Sequence, residues 1–156
     1  IGVVSTHAII AARHGSEGEV IRIHNGTSDV GSIDVSGSST SYTTSSDHRL
    51  KENVTDVNDG ITRVKQIEHN RFNFIADPDR TVDGFLAHQA QAVVPEAITG
   101  THNEVDADGN PVYQGIDQSK LVPLLTAALK EAITKIETLE TEMTSVKARL
   151  DALEGN

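Results

Sequence analysis

The nonapeptide Ser45-Ser46-Asp47-His48-Arg49-Leu50-Lys51-Glu52-Asn53 divides the 156-residue chain into two parts of different physical character. Upstream of it, Val20-Ile21-Arg22-Ile23, Asn25-Gly26 and Ile33-Asp34-Val35 give short β-type alternations broken by turn residues, followed by a Ser/Thr-rich tract. Strands that short cannot bury a face alone, so identical chains are expected to complete one another's sheet over residues 1–45, as in a fibrous stalk. A disordered Ser/Gly linker is the other reading of the same composition. Residues 3–12 read as helix or strand alike.

Downstream the periodicity changes. Leu50, Val54, Val57, Ile61, Val64 and Ile67 recur at spacings of three and four, which predicts a helix face over residues 50–67 with a break at Gly60. Arg71-Phe72-Asn73-Phe74-Ile75 alternates as a strand, closed by a turn at Ala76-Asp77-Pro78-Asp79. Phe85, Leu86, Ala87, Ala90, Val93 and Val94 predict a short helix ending near Pro95. In Asp106-Ala107-Asp108-Gly109-Asn110 the glycine stands fourth, where a calcium-binding EF-hand loop needs it sixth, so a hairpin turn is expected instead.

The last third carries the most regular pattern. Val122, Leu125, Leu129, Ala132, Ile136, Leu139, Met143, Val146, Leu150 and Leu153 alternate steps of three and four without a slip, filling positions a and d of consecutive heptads. The flanking pairs Lys135/Glu140, Glu142/Lys147 and Arg149/Glu154 are all opposite in sign, as across the interface of a parallel coiled coil. A coiled-coil helix is therefore expected over residues 121–154, with Leu129, Ile136, Leu139, Met143, Val146 and Leu150 in its core. The mix of residue types at a and d does not set the number of chains.

Composition narrows the class. Three Phe, two Tyr and no Trp are too few to stabilise a compact monomer of this length, so association is expected. A chain that begins at Ile1 and whose only methionine is Met143 is expected to be part of a longer polypeptide. The net charge of −10, without a basic stripe, argues against a nucleic-acid partner. No apolar run is long enough for a membrane span, the chain has no cysteine, and its seven histidines lack zinc-ligand spacing; no metal or cofactor is expected.

Ser46 and Lys51 supply a hydroxyl and an amine, the minimum equipment of a Ser/Lys dyad. Spacing alone is weak evidence, because Ser-x4-Lys is common in turns that lead into helices. Residues five apart on a helix are rotated by about 140°, so Ser46 must precede the helix, with Lys51 reaching back to it. A lysine base must be neutral part of the time, which calls for burial or a nearby cation, and Arg49 is placed to be that cation.

The run Ser46-Asp47-His48-Arg49-Leu50-Lys51-Glu52-Asn53 resembles the start of the C-terminal intramolecular chaperone domain of bacteriophage tailspikes and tail fibres, the peptidase S74 family. Gly84-Phe85-Leu86-Ala87-His88-Gln89 with Val94-Pro95-Glu96-Ala97 follows in the same order. So does Tyr113-Gln114-Gly115-Ile116-Asp117, leading to Leu121-Val122-Pro123-Leu124-Leu125 and Ala128-Leu129-Lys130-Glu131. The resemblance implies an α+β chain with two parts. Residues 1–45 would be the end of an intertwined β-stalk, and residues 46–156 a helix-rich chaperone with small β-elements and a long helix in a parallel trimeric coiled coil.

It further implies self-cleavage between Ser45 and Ser46, with Ser46 as nucleophile and Lys51 as base, and partners limited to the homotrimer and the stalk of the same polypeptide. The mature stalk would sit in the virion and the released chaperone in the host cytoplasm. Arg49, Glu52 and Asn53 occupy motif positions without an assigned role. His48 is a second candidate base inside the motif, and His88 is expected to pack or hydrogen-bond. A permanent trimerisation tip or receptor-binding adhesin that does not cut is the competing reading.

Overall fold

The computed structural model describes residues 16–155 and divides into two compact units between Val54 and Thr55. Residues 3–12, undecided between helix and strand, lie outside the described part.

The first unit is an antiparallel meander of β1 (Gly18–Asn25), β2 (Ser28–Ser36) and β3 (Ser39–Thr44), in the order β1-β2-β3. Gly26 and Gly37 make the two tight turns at φ +62° and +56°, left-handed values that glycine adopts at little steric cost. The strands are longer than the apolar clusters foretold, because Ser and Thr pair as ladder residues at both ends. Register places Ile21 opposite Ile33 and Ile33 opposite Tyr42, an apolar row across one face. Ser32, Asp34 and Thr43 line the other: Asp34 Oδ2 accepts from Ser32 Oγ at 2.6 Å and from Thr43 Oγ1 at 3.1 Å.

The second unit is built on one long helix. Its elements in order are α1 (Gly60–Val64), the hairpin β4 (Asn70–Phe74) and β5 (Asp77–Gly84), α2 (Ala87–Gln91), the short pair β6 (Ile98–Thr99) and β7 (Gly115–Ile116), and α3 (Val122–Glu154). The unit is α+β with small sheets, and none of its described helices is long and apolar enough to cross a membrane. The core is small: Val93, Val94, Ala97, Leu121 and Leu124 are buried, with Val64, Ile67, Phe85 and Ile98 packed against them.

The helix expected over residues 50–67 is a correction. Only His48–Leu50, a single 3-10 turn, and α1 are helical, and residues 51–59 run between them without regular structure. Asn53 takes a left-handed φ of 53°, which interrupts a right-handed helix, and the β-branched Val54, Thr55 and Val57 favour extended backbone. Val54 and Val57 bury no shared face, being 81% and 44% exposed.

The turn of the β4–β5 hairpin falls at Ile75-Ala76, two residues earlier than the Ala76-Asp77-Pro78-Asp79 reading, because residues 77–84 form a return strand. That strand is polar and is held by side chains: Arg71 Nε donates to Asp83 Oδ1 at 2.7 Å, and Asn73 Nδ2 to the Pro78 carbonyl at 2.7 Å. At the Asp106-Ala107-Asp108-Gly109-Asn110 turn, Asp106 Oδ1 accepts the amides of Asp108 and Asn110, each at 2.9 Å, between the bridged residues Val105 and Pro111. His88 stacks on His102 with ring centroids 4.2 Å apart.

α3 is a 33-residue helix that serves its own unit with one flank only. Leu121 and Leu124, outside the a/d series, are buried, and α1 lies so close that a Cβ on Gly60 would stand 2.4 Å from Ala128 N. The Glu131 carboxylate accepts the Gly60 amide at 2.6 Å and the Ile61 amide at 3.1 Å, capping α1 from a different helix. The a/d residues Leu129, Ile136, Leu139, Met143, Val146 and Leu150 are all at least half exposed, and from residue 133 to 155 every residue is exposed.

Candidate active site

Ser45 follows β3, and its amide donates to the Val30 carbonyl at 3.1 Å while its hydroxyl reaches the Asp29 carbonyl at 3.3 Å. The residue before the candidate scissile bond is therefore tied to β2. Ser46 is next, on non-helical backbone. The chain then closes one 3-10 turn over His48–Leu50, with Leu50 N donating to the Asp47 carbonyl and Lys51 N to the His48 carbonyl, both at 3.1 Å. Asp47 is the N-cap, at φ −64° and ψ 137°.

Lys51 leaves this turn on extended backbone and folds its side chain back, so that Nζ lies 2.7 Å from Ser46 Oγ. An amine that close to a hydroxyl is within the range for direct proton transfer. The two side chains meet across a single turn at the surface, and both residues are exposed.

Arg49 does not act as the free cation beside Lys51 that its position suggested. Its guanidinium forks onto Asp47, with Nε 2.9 Å from Oδ1 and Nη2 2.8 Å from Oδ2, while its amide donates to Oδ1 at 2.8 Å. The side-chain bonds to Arg49, then its amide, hold the Asp47 carboxyl below the ordinary carboxylate range. His48, the alternative base, has its Nδ1 3.5 Å from Asp47 Oδ1 and its side chain 92% exposed. Glu52 is exposed beyond Lys51, and Asn53 makes the left-handed turn that ends the segment.

Two residues carry more than the sequence suggested, Asp47 at this turn and Glu131 in the second unit. Asp47 could have been found as a short acceptor before a helical turn, a standard capping signal. Glu131 had no such signal, because its targets, the amides of Gly60 and Ile61, are remote in sequence and bring no side chain of their own to the contact.

No curated protein matches the chain. Residues 46–99 match the model of the Peptidase S74 family, described as chaperone of endosialidase. The matched segment begins at the serine that accepts the Lys51 amine and runs through α1, the β4–β5 hairpin and α2 to the end of β6. Over residues 46–99 the chain is thus similar to the peptidase S74, chaperone-of-endosialidase family.

Proposed function

We propose that this chain is a self-releasing intramolecular chaperone. Three copies associate through α3, hold the upstream β-structure in register while it folds into a phage fibre or spike stalk, and then cut between Ser45 and Ser46. The observation that carries the reading is the 2.7 Å contact between Lys51 Nζ and Ser46 Oγ at the first residue of the family segment.

The chemistry follows from the dyad. Ser46 Oγ attacks its own upstream carbonyl, that of Ser45, while the Lys51 amine takes the hydroxyl proton. The tetrahedral intermediate collapses by breaking the bond to Ser46 N, which receives the proton, and leaves an ester between Ser45 and Ser46 Oγ. Water hydrolyses the ester, freeing a carboxylate on Ser45 and restoring the Ser46 hydroxyl. Each chain turns over once. A lysine base works in its neutral form, which desolvation favours. With both side chains exposed in the single chain, the reading requires neighbouring chains to cover the pair, and this ties the cut to assembly.

Two open apolar surfaces support the assembly half of the reading. One is the a/d stripe of α3; the other is the row Ile21, Ile33 and Tyr42 on the sheet, where Ile21 is 42% and Tyr42 80% exposed. Aligning three chains through the helices lowers the loop-closure cost of pairing strands from different chains. The mature stalk would remain in the virion and the freed chaperone in the host cytoplasm.

Intact mass and N-terminal sequencing test it. The parent should give a fragment beginning Ser-Asp-His-Arg, whereas Ser46→Ala and Lys51→Ala should each give uncut chain that still forms trimers. An uncut parent, or a Lys51→Ala variant cut at the parent rate, would overturn the dyad.

A further inference from the structure

We propose that Asp47 is the positioning residue of the cleavage reaction: its carboxylate, gripped by Arg49, fixes the turn that returns the Lys51 amine to the Ser46 hydroxyl. The inference rests on the autoproteolytic reading and adds a residue to it. Ser46 lies between two fixed neighbours. Ser45 is tied to β2 through the Val30 carbonyl at 3.1 Å, and Asp47 is held by three bonds of 2.8 to 2.9 Å from Arg49.

The lysine side chain has four rotatable bonds, and it meets Ser46 only if the backbone at Lys51 emerges in the right direction. That direction is set by the 3-10 turn, a weak element with only two backbone hydrogen bonds of its own here. The Asp47 cap supplies a third bond, to the Arg49 amide, and the guanidinium fork locks the acceptor's rotamer. Asp47 gives up no proton in this scheme. Its oxygens are occupied by Arg49, and Ser46 Oγ is already paired with Lys51.

The test is the rate of self-cleavage of the full 156-residue chain, followed by mass from the onset of refolding over a range of pH. Asp47→Ala should cut about 100-fold more slowly, the cost of misplacing a reacting group by about 1 Å. Asp47→Asn keeps an oxygen for the Arg49 amide and caps about as well as aspartate, so it should restore the rate to within about fivefold of the parent. Arg49→Ala, which keeps the cap and loses the fork, should fall between them. In all three the pH of half-maximal rate should coincide with the parent's, because Asp47 places atoms and moves no proton.

Asp47→Ala cutting within about twofold of the parent would overturn the inference. So would Asp47→Asn being as slow as Asp47→Ala, or a displaced pH profile in Asp47→Asn, which would give the carboxylate a role in proton transfer. If Asp47→Ala fails to trimerise, the Asn variant and Arg49→Ala still decide the matter. A parent that is never cut removes the autoproteolytic reading and this inference together; a cut parent matched by Asp47→Ala removes the inference alone.

Discussion

Replacing Gly60 by alanine should destabilise the second unit, for a steric reason that the backbone makes explicit. The added Cβ would stand 2.4 Å from Ala128 N, 2.7 Å from Ala127 C and 2.8 Å from Ala128 Cα. All three are main-chain atoms of a long helix, so no side chain can rotate away. α1 must retreat instead. Its Gly60 and Ile61 amides would then draw back from the Glu131 carboxylate, now at 2.6 and 3.1 Å.

Overpacking of this kind costs about 1–3 kcal/mol. Weakening two bonds to a charged acceptor adds a share of the roughly 1.5–3 kcal/mol that each is worth. Alanine returns about 0.4–1 kcal/mol through the smaller entropy of its unfolded chain. The net expectation is a loss of about 2–4 kcal/mol, or about 1–2 M in the urea midpoint for a slope near 2 kcal/mol/M. Far-UV circular dichroism at fixed chain concentration reads it, since association would otherwise shift the midpoint. Gly109→Ala is the control. Gly109 has φ +83° and nothing within 4 Å, so only the left-handed backbone is penalised, by about 1–2 kcal/mol. A Gly60→Ala midpoint equal to the parent's would refute the close-approach argument, as would a larger loss at Gly109.

Substituting Ile136→Asp together with Leu139→Asp puts charges into an a/d layer that cannot pair them; light scattering should report monomers, and the Ser45–Ser46 bond should stay uncut. Ser45→Ala should leave cleavage within a few-fold of the parent by mass, because it removes only a 3.3 Å hydroxyl contact to Asp29 and keeps the carbonyl. Acid should weaken the fold through Asp47, Asp83, Asp106 and Asp117, whose carboxyls are held below 3.8 chiefly by Arg49, Arg71, the Asn110 amide and the Ser119 hydroxyl respectively. A depressed folded value stabilises above the unfolded value and loses that contribution as pH falls through the folded one. Melting temperature should therefore be flat from neutrality to about pH 4.5 and drop below about 3.8; a drop that is complete above pH 5 would refute the assignment.

The elements that were legible in sequence are those whose signal is carried by their own residues. The heptads of α3 repeat over a 33-residue helix, and no local irregularity obscures them. The Asn25-Gly26 turn needs a left-handed residue and has one. The Ser46–Lys51 contact is also local, made across one turn. What escaped depends on remote partners. Val54 and Val57 share a helical spacing with Ile61, yet Asn53 breaks the helix and they pack on no common face. β5 has no apolar alternation because Arg71 and Asn73 hold it by side-chain bonds. Leu124 falls outside the a/d register and was passed over, although it is among the most buried residues of the unit. The Asp47–Arg49 fork is a matter of rotamers, which a string of residue names does not contain.

The apolar residues of α3 divide into two sets. At about 100° per residue, Leu121, Leu124, Ala127, Ala128 and Glu131 cluster on one flank, while the a/d series is centred about 90° around the helix. The first group grips α1 and the core through the first turns only. Beyond residue 132 the helix has no buried residue, although most helical stability in proteins comes from packing of an apolar face. In the proposed trimer, copies of this helix cover the a/d stripe, which is unbroken and flanked by g/e pairs of opposite sign. In that assembly the residues held by the domain are not those offered to the copies, so the proposed trimerisation need not unpack the unit beside it. The Ile136→Asp/Leu139→Asp variant separates the two roles: the secondary structure of α1, the β4–β5 hairpin and α2 should survive by amide exchange, while protection is lost beyond residue 132. Loss of protection in α1 as well would show that the flank and the stripe are one cooperative surface.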